Sequence, residues 1–203
     1  MLIHTSCRHY RGSRPCIPNK ARGKECPNCD EQDPIGDRIL LIKLGAPGDV
    51  LRTTSLLPGI KRLWPDSELT WLTRRSAAPL LENLPQIDRV LLLEEEGALQ
   101  ILGERFDICM NLDNDPIASA LATQERAVRH LGYVLDDLGR IVAANPEATA
   151  WLEMASFDRV KRENRDTYQA HMRRIVGLEA ENPDPIQIRL TDKEREGARE
   201  QLR

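Results

Sequence analysis

The sequence predicts an α/β fold: a Rossmann-like parallel sheet with flanking helices, preceded by a small cysteine-rich segment. Short apolar runs recur from residue 38 onward, and segments with helical spacing of apolar residues follow them, which is typical of doubly wound sheets. The first run, residues 38–44, is apolar nearly throughout, as expected of a strand buried on both faces. Residues 1–29 hold four of the five cysteines but few large apolar residues, so they cannot form a core unaided.

The same patterns place each element along the chain. Strands are expected at residues 38–44, 68–72, 89–93, 107–112 and 186–190. Helices are expected at residues 49–64, 76–83 and 98–105, from residue 117, and at residues 146–157 and 166–176. Pro58 should kink the first helix, because proline lacks the N–H that a helix needs there. Thr191 should cap a last, charged helix over residues 191–203, where the sequence shows no helix-stop signal.

Composition excludes several classes of function. The chain has 203 residues, of which 40% are hydrophobic and 30% charged, as in soluble globular proteins. It contains no apolar run long enough for a transmembrane helix and no apolar core of a secretory signal, so we expect a cytoplasmic protein. The net charge of −3 and the 4% of aromatic residues give no reason to expect nucleic-acid binding.

The cysteine-rich segment predicts a metal site. Its cysteines follow the pattern C-x8-C-x9-C-x2-C, and the last two have the two-residue gap of a metal knuckle. Zinc and an iron–sulfur cluster both suit four thiolates, His4 and His9 are spare ligands, and disulfides or unligated thiols are the alternatives. Cys109 lies inside an apolar strand and should be a buried small residue rather than a ligand. The candidate ligands are Cys7, Cys16, Cys26 and Cys29.

The loop after the first strand is the first candidate for chemistry, because ligands bind at the carboxyl ends of strands in open α/β sheets. Gly45 and Gly48 would let a ligand approach the backbone closely. Asp49 is either a helix cap or a carboxylate placed to take a proton from a substrate hydroxyl. Asp113 and Asp115 follow the fourth strand at the same edge, either as a solvated turn or as part of a site.

Several segments resemble the family 9 glycosyltransferases, the ADP-heptose:lipopolysaccharide heptosyltransferases. The segments are RILLIKLGAPGDVLRTTSLLPGIKRLWPDSELTWLT, APLLENLPQIDRVLLL and FDICMNLDNDPIASALA. The segments CRHYRGSRPC…CPNC and AWLEMASFDRVKRENRDTYQAHMRRIVGL are similar to a subgroup of that family. The most specific part is Gly48-Asp49-Val50 followed by Thr53-Thr54 and Leu57-Pro58.

The resemblance implies half of an enzyme with two Rossmann-like domains across a cleft, the GT-B arrangement. The N-terminal domain would receive a lipid A–core saccharide, and the C-terminal domain would bind ADP-heptose. Transfer would be inverting and need no catalytic metal, and the enzyme would contact the cytoplasmic face of the inner membrane peripherally. The general base would be Asp49, and the acceptor site would include Gly45, Gly48, Thr53, Asp113 and Asp115.

The resemblance also sets the expected domain limits. Residues 1–37 would be the cysteine-rich segment and linker, residues 38–190 the acceptor-binding domain, and residues 191–203 the start of a helix that leads to an absent donor-binding domain. Because members of the family are longer, we expect this chain alone to be inactive. The alternatives are a non-catalytic, metal-bearing binding or regulatory module and a small nucleotide-binding enzyme. The second is disfavoured because neither a Walker A motif nor GxGxxG is present.

Overall fold

A six-stranded sheet forms the centre of the molecule, as a computed structural model that describes residues 3–179 and 184–201 shows. The strand order is β3-β2-β1-β4-β5-β6. The first five of these strands are parallel, and β6 pairs antiparallel with β5. The predicted fold class is confirmed. The strands are β1 (Arg38–Ile42), β2 (Glu68–Thr73), β3 (Arg89–Leu92), β4 (Ile108–Asn111), β5 (Arg129–Leu135) and β6 (Ile141–Ala143).

Short helices connect and flank the strands. The α-helices are α1 (Ile17–Arg22), α2 (Pro47–Thr53), α3 (Leu57–Leu63), α4 (Gly97–Gly103), α5 (Pro116–Gln124), α6 (Thr149–Ser156), α7 (Asp158–Glu163), α8 (Tyr168–Ile175) and α9 (Asp192–Gln201). Short 3-10 turns lie at Cys26–Asn28, Thr54–Leu56, Ala78–Leu80 and Pro146–Ala148. Thr191 caps α9 as expected, because its hydroxyl accepts a hydrogen bond from Glu194 N at 3.2 Å.

The central strand β1 explains the apolar run that begins the domain. It lies between β2 and β4, and its side chains alternate between two apolar layers. Ile39 and Leu41 pack into one layer, and Leu40 and Ile42 pack into the other; all four are fully buried. A strand covered on both faces needs apolar residues at consecutive positions, which is why no alternation is visible in its sequence.

The predicted helix over residues 49–64 is interrupted. The helices α2 and α3 are separated by the 3-10 turn at Thr54–Leu56. Pro58, the second residue of α3, has no N–H to donate to the carbonyl of Thr54, which instead accepts a hydrogen bond from Leu57 N. The predicted helix is therefore interrupted just before Pro58, which lies in the first turn of the second helix.

Two predicted elements differ from the structure, and two strands of the structure were not predicted. Residues 76–83 form only the 3-10 turn at Ala78–Leu80. Residues 186–190 are not a strand, because Gln187 bonds through its N–H and carbonyl to the Thr54 hydroxyl, at 2.8 and 2.9 Å, rather than to a strand. The strands β5 and β6 were not expected, although the turn between them, with Asp136 and Gly139, is a hairpin signal.

The cysteine-rich segment lies at the amino edge of the sheet, where the parallel strands begin. The Arg8 guanidinium donates to the Asp66 carbonyl at 3.0 Å and to the Asp88 carboxylate at 2.8 Å. These two residues precede β2 and β3. An antiparallel bridge between Cys7 and Pro34 closes the segment on itself. Within residues 3–179 and 184–201, no helix is long and apolar enough to cross a membrane.

Candidate functional site at the carboxyl edge of the sheet

The strand order reverses between β1 and β4. From β1 the chain continues to β2 and β3 on one side, and it later returns to β4 on the other side of β1. At such a switch point the two connections that leave the carboxyl ends diverge, and a crevice opens between them. Asp49 follows β1, and Asp113 and Asp115 follow β4. The predicted site residues therefore flank this crevice.

Asp49 is the third residue of α2 rather than its cap. The helix begins at Pro47, which is favoured as a first helical residue because its N–H would be unpaired there anyway, and the cap position falls on Ala46. The Asp49 carboxylate forms an ion pair with the Arg52 guanidinium instead of bonding to a helix amide. The side chain is 36% exposed. The cap interpretation is therefore wrong, and the carboxylate is open to solvent at the crevice.

Asp113 is a buried structural residue and not part of a solvated turn. Its carboxylate accepts hydrogen bonds from Leu44 N at 2.9 Å and Gly45 N at 3.3 Å, and it lies 3.2 Å from the Lys43 ammonium. Both charged side chains are nearly buried, and the amide bonds satisfy the second carboxylate oxygen. Asp113 thus ties the end of β4 to the loop after β1.

Asp115 caps α5. One of its carboxylate oxygens accepts hydrogen bonds from Ile117 N at 2.8 Å and Ala118 N at 3.1 Å. These amides are among the free donors at the start of any α-helix, and aspartate satisfies them well. Its structural role is therefore clear, and its side chain still lies at the crevice.

Thr53 is fully buried, and its hydroxyl makes two hydrogen bonds within the protein. The hydroxyl donates to the Asp49 carbonyl at 2.8 Å and lies 2.7 Å from the Tyr168 hydroxyl. Because a threonine has one hydroxyl proton, Tyr168 must be the donor in the second bond. Thr53 has no exposed surface that an acceptor could contact, so the predicted acceptor contact is not supported. Instead, Thr53 holds α2 against α8 through its bond to Tyr168.

Tyr168 also supports the Asp49 ion pair. The Arg52 guanidinium lies over the Tyr168 ring, 4.4 Å from its centroid, a favourable position for a cation. Burial raises the pKa of Tyr168, so its hydroxyl stays protonated and can donate to Thr53. Arg52 is thereby held on one side by an aromatic ring and on the other by Asp49.

The two glycines of the loop are not required by the fold. A Cβ added at Gly45 or Gly48 would meet no atom within 4 Å, and neither residue has the positive φ that favours glycine. The space above them is open at the edge where Asp49 lies. A ligand could therefore approach the backbone closely at these positions.

Three residues of this edge were not singled out from the sequence. Lys43 carried a signal, because it is the charged residue inside an otherwise apolar run. Arg52 lies one helical turn after Asp49, the spacing at which a pair can form on a helix surface. Tyr168 carried no signal in the sequence, because it lies 115 positions from Thr53, the residue that it contacts.

The predicted metal ligands come together elsewhere. A small cavity of about 30 Å³ lies within the cysteine-rich segment. Its lining includes both spare histidines and all four candidate cysteines, Cys7, Cys16, Cys26 and Cys29. Cys109 is buried in β4, as expected. The cysteine cavity and the carboxyl edge therefore belong to opposite ends of the sheet.

A larger cavity of about 790 Å³ lies between the cysteine-rich segment and the amino edge of the sheet. Charged residues at the strand starts line it, including Arg38, Glu68 and Arg89. They pair with one another or with Glu104, which lies between Arg38 and Arg89. Since these strand-start residues already pair with one another, we place the candidate site at the carboxyl edge.

Comparison with known proteins shows similarity of fold. No family model matches the chain, and no curated protein matches it. Its structure is similar to that of a family 9 glycosyl transferase from Veillonella parvula, with 19% identity and a TM-score of 0.61, over 81% of this chain and 48% of that one. It is also similar to ADP-heptose lipopolysaccharide heptosyltransferase II of E. coli, with 15% identity and a TM-score of 0.56, over 81% and 50%. The chain spans about half the length of these two proteins.

Proposed function

We propose that this chain is the acceptor-binding half of a sugar transferase and that Asp49 is its general base. The observation that carries the proposal is the Asp49 carboxylate, which is partly exposed at the switch point between β1 and β4 and caps no helix amide. The similarity of fold to a family 9 glycosyl transferase and to a heptosyltransferase supports the reaction class.

In the proposed reaction, an acceptor hydroxyl attacks the anomeric carbon of an activated sugar. A carbon–oxygen bond to the acceptor forms while the bond between the anomeric carbon and the diphosphate oxygen breaks. The hydroxyl proton passes to Asp49, and the nucleoside diphosphate leaves with the bonding electron pair. Attack opposite the leaving group inverts the anomeric centre. Arg52, held by the Tyr168 ring, orients the carboxylate towards the acceptor.

We propose ADP-heptose as the donor and a lipid A–core saccharide as the acceptor, on the strength of the motif around Gly48-Asp49-Val50. The donor would bind to a second domain, so the isolated chain should not catalyse transfer. No metal is assigned to the reaction, and peripheral contact with the inner membrane would bring the enzyme to its lipid-linked acceptor. Gly45 and Gly48 would admit the acceptor, with Asp113 holding the loop and Asp115 at its rim.

The replacement Asp49→Asn tests this proposal in a chain that carries both halves. Asparagine keeps the shape of aspartate but cannot accept the proton, so transfer of heptose to a heptose-free core acceptor should fall by roughly 10²–10⁴-fold. The loss of an exposed ion pair should cost only about 0.2–1 kcal/mol of stability. The matched control is Asp158→Asn, which changes an acid in the first turn of the exposed α7 and should keep the parent rate.

Two results would contradict the assignment. An Asp49→Asn enzyme that retains transfer within about threefold of the parent would remove Asp49 from the mechanism, because a general base is worth far more. A parent enzyme that binds the saccharide but never transfers to it would favour the alternative, a non-catalytic binding or regulatory module. Thermal unfolding of each variant separates loss of chemistry from loss of fold.

A further inference from the structure

The cysteine-rich segment lacks an apolar core of its own. Among the residues that the structure describes, the buried hydrophobic core begins at Ile39, and α1 buries only Pro18. Ile3 and Ile17 are exposed. A segment of this size with so little apolar burial needs another source of stability, and a metal centre is one of the usual ones.

Tight turns bring the four cysteines around one cavity. Cys7 lies in a turn in which its own N–H donates to the His4 carbonyl at 3.1 Å. Cys16 immediately precedes α1, which ends at a left-handed Gly23. Cys26 and Cys29 stand at either end of a 3-10 turn, with Cys29 N bonded to the Cys26 carbonyl. Residues far apart in the segment thus line the same 30 Å³ cavity.

The sulfur atoms are spread too widely for a single zinc ion. Four thiolates around zinc lie about 3.8 Å from one another, given a Zn–S bond of about 2.3 Å and tetrahedral angles. Across residues 3–179 and 184–201, the only three metal-ligating side chains with donor atoms all within 4.8 Å of one another are Cys109, Glu125 and His130. No three of the four cysteines meet that limit. A cluster fits better, because its iron and sulfide ions occupy the space between the ligands.

Charge in the segment also suits an anionic centre. Residues 1–29 hold six lysines and arginines but a single acid. Lys24 lines the cavity itself, while its ammonium pairs with Asp30 at 2.8 Å. Arg22 pairs with Glu31 in the same way on the other side of the loop. The net positive charge of residues 1–29 would offset the negative charge that four thiolates bring.

The trio that is close enough for one ion is a poor site for it. Burial raises the pKa of the Cys109 thiol, so metal binding there would have to remove a proton that burial favours on the sulfur. Burial also raises the pKa of Glu125, and one of its carboxylate oxygens already accepts from Phe106 N at 3.4 Å. Cys109 is therefore a suitable control cysteine rather than a ligand.

We propose that the cysteine-rich segment binds one [4Fe–4S] cluster. Each of its four irons would take one thiolate, with His4 and His9 as walls of the cavity rather than ligands. Because the segment lies at the amino edge of the sheet and Asp49 at the carboxyl edge, the cluster stabilises the segment and takes no part in sugar transfer. The cluster ligands are Cys7, Cys16, Cys26 and Cys29.

Metal analysis of the anaerobically purified chain tests the composition of the site. We expect about four iron and about four sulfide per chain and only traces of zinc. The protein should be brown, with a broad visible absorption band that bleaches when dithionite is added. One zinc per chain without iron would overturn the proposal, and so would metal-free protein with four titratable thiols in this segment.

Substitutions test which residues hold the cluster. Cys26→Ala should lose most of the iron, whereas Cys109→Ala, the matched loss of one cysteine, should keep the parent iron content. His9→Ala should also keep it. Iron retained by Cys26→Ala, or lost by His9→Ala, would overturn the ligand assignment. If Cys26→Ala is insoluble, His9→Ala and Cys109→Ala still decide it together with the iron and sulfide content of the parent.

Discussion

Asp49, Asp113 and Asp115 are three aspartates at one edge of a sheet, and they differ because their partners differ. Asp115 meets two helix amides and becomes a cap. Asp113 accepts hydrogen bonds from two loop amides and pairs with a buried lysine, so it holds the loop in place. Asp49 meets only a half-exposed arginine among the described side chains. An aspartate whose carboxylate is committed to amides has little left for chemistry, so at the residue scale Asp49 is the one available to a substrate.

At the same scale, the environment of His171 predicts that the stability of the fold depends on pH. Burial lowers its pKa, an effect that nearby Arg174 reinforces and Asp166 opposes. Its Nε2 lies 3.0 Å from the Asn164 Oδ1 atom, and its ring meets Trp151 edge-on. Because the folded state prefers the neutral ring, the unfolded state binds more protons as pH falls through about 6.5, and stability is lost there.

The measurement is the free energy of unfolding in urea at about pH 7.5 and about pH 5.5. We expect the parent to lose stability between these values and His171→Gln to lose less, since glutamine does not titrate. Equal pH dependence in the parent and in His171→Gln would contradict the assignment.

At the scale of elements, the hairpin of β5 and β6 extends the sheet beyond the predicted strands. It packs so closely on β4 that Gly132 has no room for a side chain: a Cβ there would lie 1.8 Å from the Asn111 carbonyl oxygen, and φ is +95°. The Gly132 N–H also donates a hydrogen bond to Asn145 Oδ1 at 2.7 Å, which fixes the backbone at this position. Glycine at this position is therefore required by the pairing of two strands.

The replacement Gly132→Ala should destabilise the fold by about 2–4 kcal/mol, because it adds both backbone strain and a clash with β4. Gly139→Ala is the matched control: φ is +72° there, but a Cβ would meet nothing within 4 Å. It should cost only the strain, about 1–2 kcal/mol. Chemical unfolding of the two variants decides the point, and equal losses would show that the close approach to Asn111 does not matter.

At the scale of the whole molecule, the two ends of the sheet carry different features. Asp49 lies at the carboxyl edge, at the switch point between β1 and β4, and the cysteine-rich segment covers part of the amino edge. Arg8 links that segment to the sheet through bonds to Asp88 and the carbonyls of Asp66 and Ser67, and it also bonds to Asp33 within the segment. Most of these partners precede β2 or β3, so one side chain joins the segment to two strands.

The replacement Arg8→Met should loosen the segment while the sheet stays folded. We expect limited proteolysis within residues 3–37 to be several-fold faster than in the parent, because the opening of a segment depends on its local contacts. Arg11→Met, in an exposed residue of the same segment, is the control and should be cut at the parent rate. If both variants were cut equally slowly, Arg8 would not be the link.

Much of the fold could be predicted from the sequence because the signals are local. A run of apolar residues makes β1 a buried strand whatever surrounds it, and Pro58 interrupts a helix through its own ring. Pro47 is equally local, and it could have shown that α2 starts before Asp49. The sequence also shows that four cysteines lie in one segment, but it does not show how far apart their sulfur atoms lie in space.

The sequence by itself determined the alternation of strands and helices, the place of Asp49 after β1 and the set of candidate metal ligands. Only the tertiary structure decided which strands are neighbours. Because β4 lies beside β1, Asp113 reaches the Leu44 amide, and because α8 folds back on α2, Tyr168 reaches Thr53. Such contacts join residues 69 and 115 positions apart. They depend on packing between elements, which no local pattern of residues encodes, and they decide that Asp113 and Thr53 are structural while Asp49 stays open.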